Sequence, residues 1–213
     1  MPRGWRELWL AGTVALVSLA WDDASGLAER LGEAGLQVLE QVGATARDRA
    51  AEHGGYWGDA VAGWQQVVFA DPLQALTWAM VLQQELLERS WSPEVLADPA
   101  CGAQRDPDGT LLFRGPRPRI GLVVADTAPT PDPDTGRPTY VGPAAERALA
   151  LGQAAHGGLV LLDRAAVEAL GSEGIEAAGG VGADQGKHRL QGQGRPLQLV
   201  GVVPPPENHE LQW

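Results

Sequence analysis

The uncharged run from Leu8 to Trp21, followed at once by Asp22, Asp23 and Ser25, constrains this chain more than any other feature. It is too short to cross a bilayer comfortably, since a spanning helix needs about 20 apolar residues. Arg3 and Arg6 ahead of it, and the small residues Ser18 and Ala20 near its end, give it the outline of a secretory signal. Its Val- and Leu-rich part, Thr13 to Trp21, reads instead as a buried strand, and the remaining pattern lacks a central strand without it.

The pattern downstream is regular. Asp22, Asp23 and Ser25 supply helix-start chemistry. Leu27, Leu31, Leu36, Leu39 and Val42 then predict one helix running to His53, closed by Gly54 and Gly55. Tyr56–Val61 and Gln65–Phe69 read as strands with Gly63 and Trp64 near their turn. Asp71 and Pro72 start a second helix with Leu76, Ala79, Met80, Leu82 and Leu86 on its apolar face. Residues 91 to about 117 form a long, proline-containing connection of the kind that is usually functional or an insertion. Arg119–Ala125 is the next strand and 127–139 an extended arm. A third helix runs from Gly142 and Pro143 to Gly157 and Gly158.

Leu159–Leu162 is then a strand and Arg164–Leu170 a short helix, while Gly171–Gly186 is weakly determined. Arg189–Leu190 and Leu197–Val203 finish the sheet before the proline run Pro204 to Pro206, and 207–213 read as a loose tail. The order β-α-β-β-α-β with later α and β elements predicts an α/β (α+β) fold: a ferredoxin-like βαββαβ core with a C-terminal αβ extension. The expected division is a tail at 1–11, one domain at 12–203 and a tail at 204–213.

Charge narrows the partners. A formal net charge of -11 over 213 residues argues against nucleic acid and against anionic membrane surfaces, both of which need a basic face. Lys187 is the sole lysine, and the single Cys101 excludes an internal disulfide and fits a reducing, cytoplasmic setting. His53, His156, His188 and His209 have no metal-ligand spacing, and no phosphate-binding GxxxxGK[ST] loop occurs.

Several ordered stretches resemble the class III adenylate/guanylate cyclases. His53-Gly54-Gly55-Tyr56 followed by Phe69-Ala70-Asp71-Pro72 and Gln74-Ala75-Leu76 is similar to the family's "HGGY … FADPxxAL". The stretches Leu86–Glu94, Arg105–Gly115 and Arg119–Leu122 resemble the branch with a long insertion. Tyr140–Pro143, Ala154–Gly158 and "KHRLQGQGRPLQL" from Lys187 complete a likeness over about residues 12 to 203. The resemblance implies the class III cyclase fold and a head-to-tail dimer. It also implies a site of two metal-binding aspartates, a base-selecting pair, an Asn and Arg for the transition state, and a phosphate-binding Lys.

In register with those motifs, the first metal aspartate falls at Ala20 and the second at Gly63. Asp59 stands at the base-selecting lysine and Thr139 at its partner position. Glu146 replaces the Asn, Ala150 the Arg, and Gln191 the basic position of the C-terminal strand pair. Asp22 and Asp23 read as helix caps or, alternatively, as displaced metal ligands; Gly58-Asp59 imitates the family's Gly-Asp only with a shift of register. A charge pair at ~4 Å is worth roughly 4 kcal/mol at an effective dielectric of about 20, so the added carboxylates Asp59 and Glu146 would repel a triphosphate. The expectation is therefore a degenerate cyclase that is not an enzyme and uses no metal or cofactor. It would act as a protein-interaction, structural or regulatory subunit through the dimer face. Trp21, Trp57 and Trp64 stand out as interface or cleft residues. Alternatives are a small-molecule sensor using the former cleft, and residual cyclase activity with displaced ligands.

Overall fold

The computed structural model describes residues 9–205. Arg3, Arg6 and Leu8 of the signal-like reading, Pro206, and the expected tail with His209 lie outside the described residues. The uncharged run forms strand β1 (Gly12–Trp21), with Val14 to Leu19 buried. Its side chains alternate: Ala15, Val17 and Leu19 join one core, Val14 and Leu16 another. That is the signature of a central strand covered on both faces.

The expected first helix is two. Helix α1 (Ala24–Leu31) stops at Gly32, whose φ of 56° and ψ of -126° suit glycine, and α2 (Glu33–Glu52) restarts at once. Asp23 holds the N-cap position of α1, yet its side chain makes no capping bond; it pairs with Arg30 at 2.8 Å. Hairpin strands β2 (Tyr56–Val61) and β3 (Trp64–Phe69) turn through Ala62 and Gly63, both at positive φ (51° and 80°), as twist-matched two-residue turns require. Helix α3 (Pro72–Glu88) starts as its sequence dictates: the Asp71 carboxylate accepts from Leu73 N at 2.9 Å and Pro72 fills the first turn.

The connection expected as a long loop carries structure of its own, helix α4 (Pro93–Ala97) and a small ladder of β4 (Gln104–Arg105) with β5 (Leu111–Phe113). Buried Asp98 anchors it by receiving the Arg30 guanidinium at 2.6 and 2.8 Å. Cys101 packs beside it with Leu27 and Val95, and burial pushes its thiol pKa up to about 11.

Next come β6 (Pro118–Thr127), the short ladder of β7 (Thr130–Pro131) with β8 (Pro138–Thr139), helix α5 (Pro143–Ala154) and strand β9 (Leu159–Asp163). The short helix expected at Arg164–Leu170 continues as α6 (Arg164–Ala177) past a kink at Gly171. The glycine-rich stretch then yields strand β10 (Val181–His188), which ends before Arg189 and Leu190, so those two residues are not strand as expected. Strand β11 (Leu197–Val203) closes the sheet.

Sheet order is β10-β11-β9-β6-β1-β3-β2, antiparallel except for the parallel pair β6–β9. The segment β6-β1-β3-β2 is the βαββαβ unit, and β9, α6, β10 and β11 extend it. Helices α2, α3 and α6 pack on one face over the core that contains Trp78 and Phe69. Helix α5 covers the other face. It lies so close that a Cβ on Gly121 of β6 would collide with Ala148 O and Gly152 N.

Candidate functional site

The β1–β3 ladder pairs Leu19 with Gln65. One step further stand Ala20 and Trp64, and then Trp21 and Gly63, so Ala20 and Gly63 lie at the same end of that strand pair. Ala20 is half-buried opposite Arg119 of β6; Gly63 is exposed in the hairpin turn with open space around it. Neither offers an oxygen ligand. Asp22 leans on Gly157 and lies 4.0 Å from Arg119, Asp23 is held by Arg30, and Asp59 by Arg137 at 3.3 Å. Among the described residues no three His, Cys, Asp or Glu side chains gather to hold a metal. The residues at these positions therefore do not fit a pair of divalent ions, which want several oxygen ligands each.

Between β1, β3 and α5 lies a cleft of about 220 Å³, lined by Ser18, Trp64, Gln66, Tyr140, Gly142 and Glu146. Trp64 owes its place to strand alternation. It points to the α5 side, where its ring packs on Gly152 and lies 5.4 Å from the Arg119 guanidinium. Arg119 in turn donates from Nε to Ala155 O at 2.7 Å and from Nη2 to Gln153 O. A cation is thus spent on the end of α5, where the last carbonyls favour it, and on an aromatic face. The opposite wall is tied by hydrogen bonds: Gln66 Nε2 donates to Tyr140 O at 3.0 Å, and the Tyr140 hydroxyl donates to Leu10 O at 2.9 Å. Burial pushes the Tyr140 hydroxyl pKa up to about 12. It titrates far above neutrality and serves here as a tether.

The expected site residues separate. Glu146 sits exposed in the first turn of α5 and lines the cleft. Ala150, one turn on, is buried in the core beneath the helix. Thr139 pairs with Thr130 in the short ladder, and Asp59 sits at the irregularity of β2 between Trp57 and Ala60. Gln191, expected at the basic position of the C-terminal strand pair, is exposed in the turn between β10 and β11, at the sheet edge away from β2. Of the three tryptophans only Trp64 enters the cleft. Trp21 and Trp57 pack on the helical face, with Arg47 over the Trp57 ring at 5.6 Å. The sequence reading missed Gln66, Tyr140 and the rim residues Val61 and Val141, which are 52% and 76% exposed. The signal was available for the valines alone: aliphatic residues beside a turn glycine and a helix-start glycine.

No protein-family model matches the chain. Adenylate cyclase structures from Trypanosoma brucei superpose with a TM-score of 0.78 at 20% identity, over 90% of this chain and 89% of theirs. This is the class III cyclase fold. An adenylyl cyclase of P. aeruginosa matches with a TM-score of 0.70 at 17% identity, over 92% of this chain and 96% of its own. Sequence similarity agrees. The adenylate cyclase of Podospora anserina is 28% identical over 153 residues, 70% of this chain. A protein of Acanthamoeba polyphaga mimivirus named for a serine/threonine-protein kinase/receptor is 32% identical over 107 residues, 50% of this chain. The chain spans only 7% and 6% of the lengths of these two relatives.

These likenesses give the chain the class III cyclase fold and a sequence similarity to adenylate cyclases, and they overturn one expectation. The substitutions at the family's catalytic positions predicted that the chain is not an enzyme, but the sequence relatives include proteins named adenylate cyclase and the cyclase-fold structures are adenylate cyclases. Assignment of the aligned positions by spacing alone does not outweigh that. Among the described residues no helix is long and apolar enough to cross a membrane.

Proposed function

We propose that this domain works inside a nucleotidyl cyclase assembly, pairing through its cleft face with a second cyclase-type domain and regulating that pair. The reaction of the pair would be the one its relatives are named for, formation of a cyclic nucleotide. The observation that carries the reading is the cleft rim: Val61 and Val141 are exposed on either side of a slot already floored by Trp64. Apolar residues around a half-buried aromatic suit a protein partner. In this reading the metal ions and the triphosphate are held between the two paired domains. A cytoplasmic setting fits the single buried thiol, Cys101.

A second reading has its own support. The cleft volume of about 220 Å³ and its Trp64 and Tyr140 walls suit a small uncharged ligand. Sedimentation across a concentration series tests the first reading. A dimer that dissociates in Val61→Glu and Val141→Glu supports it; a monomer at all concentrations removes self-pairing. Calorimetry with ATP or GTP and magnesium or manganese supplies the complementary arm. Metal-dependent nucleotide binding by the chain alone would add a catalytic role, with Asp22 or Asp23 together with Asp59 as displaced ligands.

A further inference from the structure

Away from the cleft, a second hollow of about 300 Å³ lies between the end of α3, the segment Leu111–Pro118 and the end of β11. Leu86, Leu111 and Phe113 are among its apolar walls, and the unpartnered atoms of Gln83, Arg114 and Arg117 are sealed behind them. The cleft under α5 differs. Ser18 lines it and is 6% exposed; its hydroxyl has no hydrogen-bond partner among the described residues, yet it is not one of the atoms shut off from water. The same holds for Gln66 Oε1, since only the Nε2 of that amide is used, on Tyr140 O.

Strand register brings these two groups together. Ser18 and Gln66 pair directly across β1 and β3, and side chains so placed share one face with their Cβ atoms about 5 Å apart. Ser18 can donate or accept, and Gln66 Oε1 only accepts. The group that completes such a pair is a hydroxyl, which donates to Gln66 Oε1 and accepts from Ser18 Oγ. The Trp64 ring on the same lining suits a flat aromatic body. Charge selects against ions of either sign. Glu146 is the one charged side chain on the lining and repels an anion; the Arg119 guanidinium already lies 5.4 Å from the Trp64 ring and repels a second cation. At about 30 Å³ for a water-sized group, a cleft of about 220 Å³ holds roughly seven or eight heavy atoms.

We propose that the cleft binds a small, uncharged hydroxyaryl molecule of about the size of phenol, its hydroxyl bridging Ser18 Oγ and Gln66 Oε1 and its ring lying along Trp64. This rests on the small-ligand reading of the cleft and adds the chemistry that the ligand must carry. A phenol ionises near pH 10, so it enters uncharged at neutral pH. Its hydroxyl gives the Ser18 side chain the partner that a polar group on a covered strand otherwise lacks, which is where a hydrogen bond contributes most. Asp59 and Thr139, where the family resemblance puts base selection, do not line this cleft.

The test is calorimetry and ligand-observed NMR on the whole chain with 4-methylphenol and with anisole, its isomer without a hydroxyl donor. The expected result is saturable binding of 4-methylphenol, about fivefold or more tighter than anisole, as one hydrogen bond implies. Benzoate, kept out by Glu146, should bind about fivefold or more weaker than 4-methylphenol. Ser18→Ala should weaken 4-methylphenol about fivefold and leave anisole binding and the melting temperature unchanged, so a folding defect cannot mimic the result. Equal binding of the two isomers, or a Ser18→Ala chain that binds 4-methylphenol like the parent, overturns the proposal while sparing the small-ligand reading. Absence of binding by both isomers overturns the proposal and that reading together.

Discussion

The cleft beneath α5 and the hollow beside the Leu111–Pro118 segment have similar apolar walls but handle polar groups in opposite ways. In and around the cleft most of the polar groups are paired, Gln66 with Tyr140, Tyr140 with Leu10, Arg119 with the end of α5 and Asp59 with Arg137, while Glu146 faces solvent. Behind the walls of the hollow, Gln83, Arg114 and Arg117 keep buried nitrogens that find no hydrogen-bond partner among the described residues. A polar group already paired gains little from a polar ligand, and one left open to the cleft, as the Ser18 hydroxyl is, gains a bond. Donors left unpartnered behind a wall cost stability instead. The family resemblance draws attention to the first region, and buried-group chemistry to the second.

The comparison breaks most sharply at the backbone that frames the cleft. Gly121→Val would drive α5 from the sheet, because its Cβ meets Ala148 O and Gly152 N; a loss of about 3 kcal/mol or more is expected in chemical denaturation. Trp64→Ala removes the ring resting on Gly152 and Arg119, and should cost about 2–3 kcal/mol in the same assay. A loss under about 0.5 kcal/mol would mean that Trp64 is not part of a packed floor.

The insertion that roofs the hollow is tested at Asp98. Its hydrogen bond from Arg30 is the largest influence and holds its carboxyl below the ordinary range. A depressed folded pKa contributes stability above the unfolded value of about 3.9 and loses it as pH falls through the lower folded value. Asp98→Asn should cost about 1–2 kcal/mol at neutral pH and flatten the acid limb of the stability profile below about pH 4. Unchanged acid unfolding would remove Asp98 as the anchor. Gln83→Leu should raise stability by about 1 kcal/mol, since a buried amide without partners is exchanged for an apolar isostere. The smallest effect is at Asp59→Ala, whose ion pair is 34% and 52% exposed and whose loss should stay within about 0.5 kcal/mol.

Much of the scaffold was legible because its signals are local. Asp71-Pro72 marks its helix start by chemistry that needs no neighbour, and Leu76, Ala79, Met80, Leu82 and Leu86 all prove buried. Gln83 was legible too in retrospect: it interrupts that apolar stripe, although whether a partner awaited it could not be read. The break at Gly32 left a trace in the sequence: Leu31 and Leu36 are five residues apart, off the three- or four-residue spacing of one helix face, and Leu36 is exposed. Arg189 and Leu190 fall outside the sheet because the pairing of β10 with β11 ends at His188 and Leu197, which no local pattern marks.

The sequence by itself determined the order of the central strands and main helices, the start of α3 at Asp71-Pro72 and the likeness to cyclases, since propensity, capping and motif spacing act over a few residues. Only the tertiary structure decided which side of the sheet each tryptophan faces, that Asp59 is neutralised by Arg137 from 78 residues away, and that three donors end around an apolar hollow without acceptors. Those outcomes depend on strand register and on segments brought together from distant parts of the chain, which no local pattern encodes.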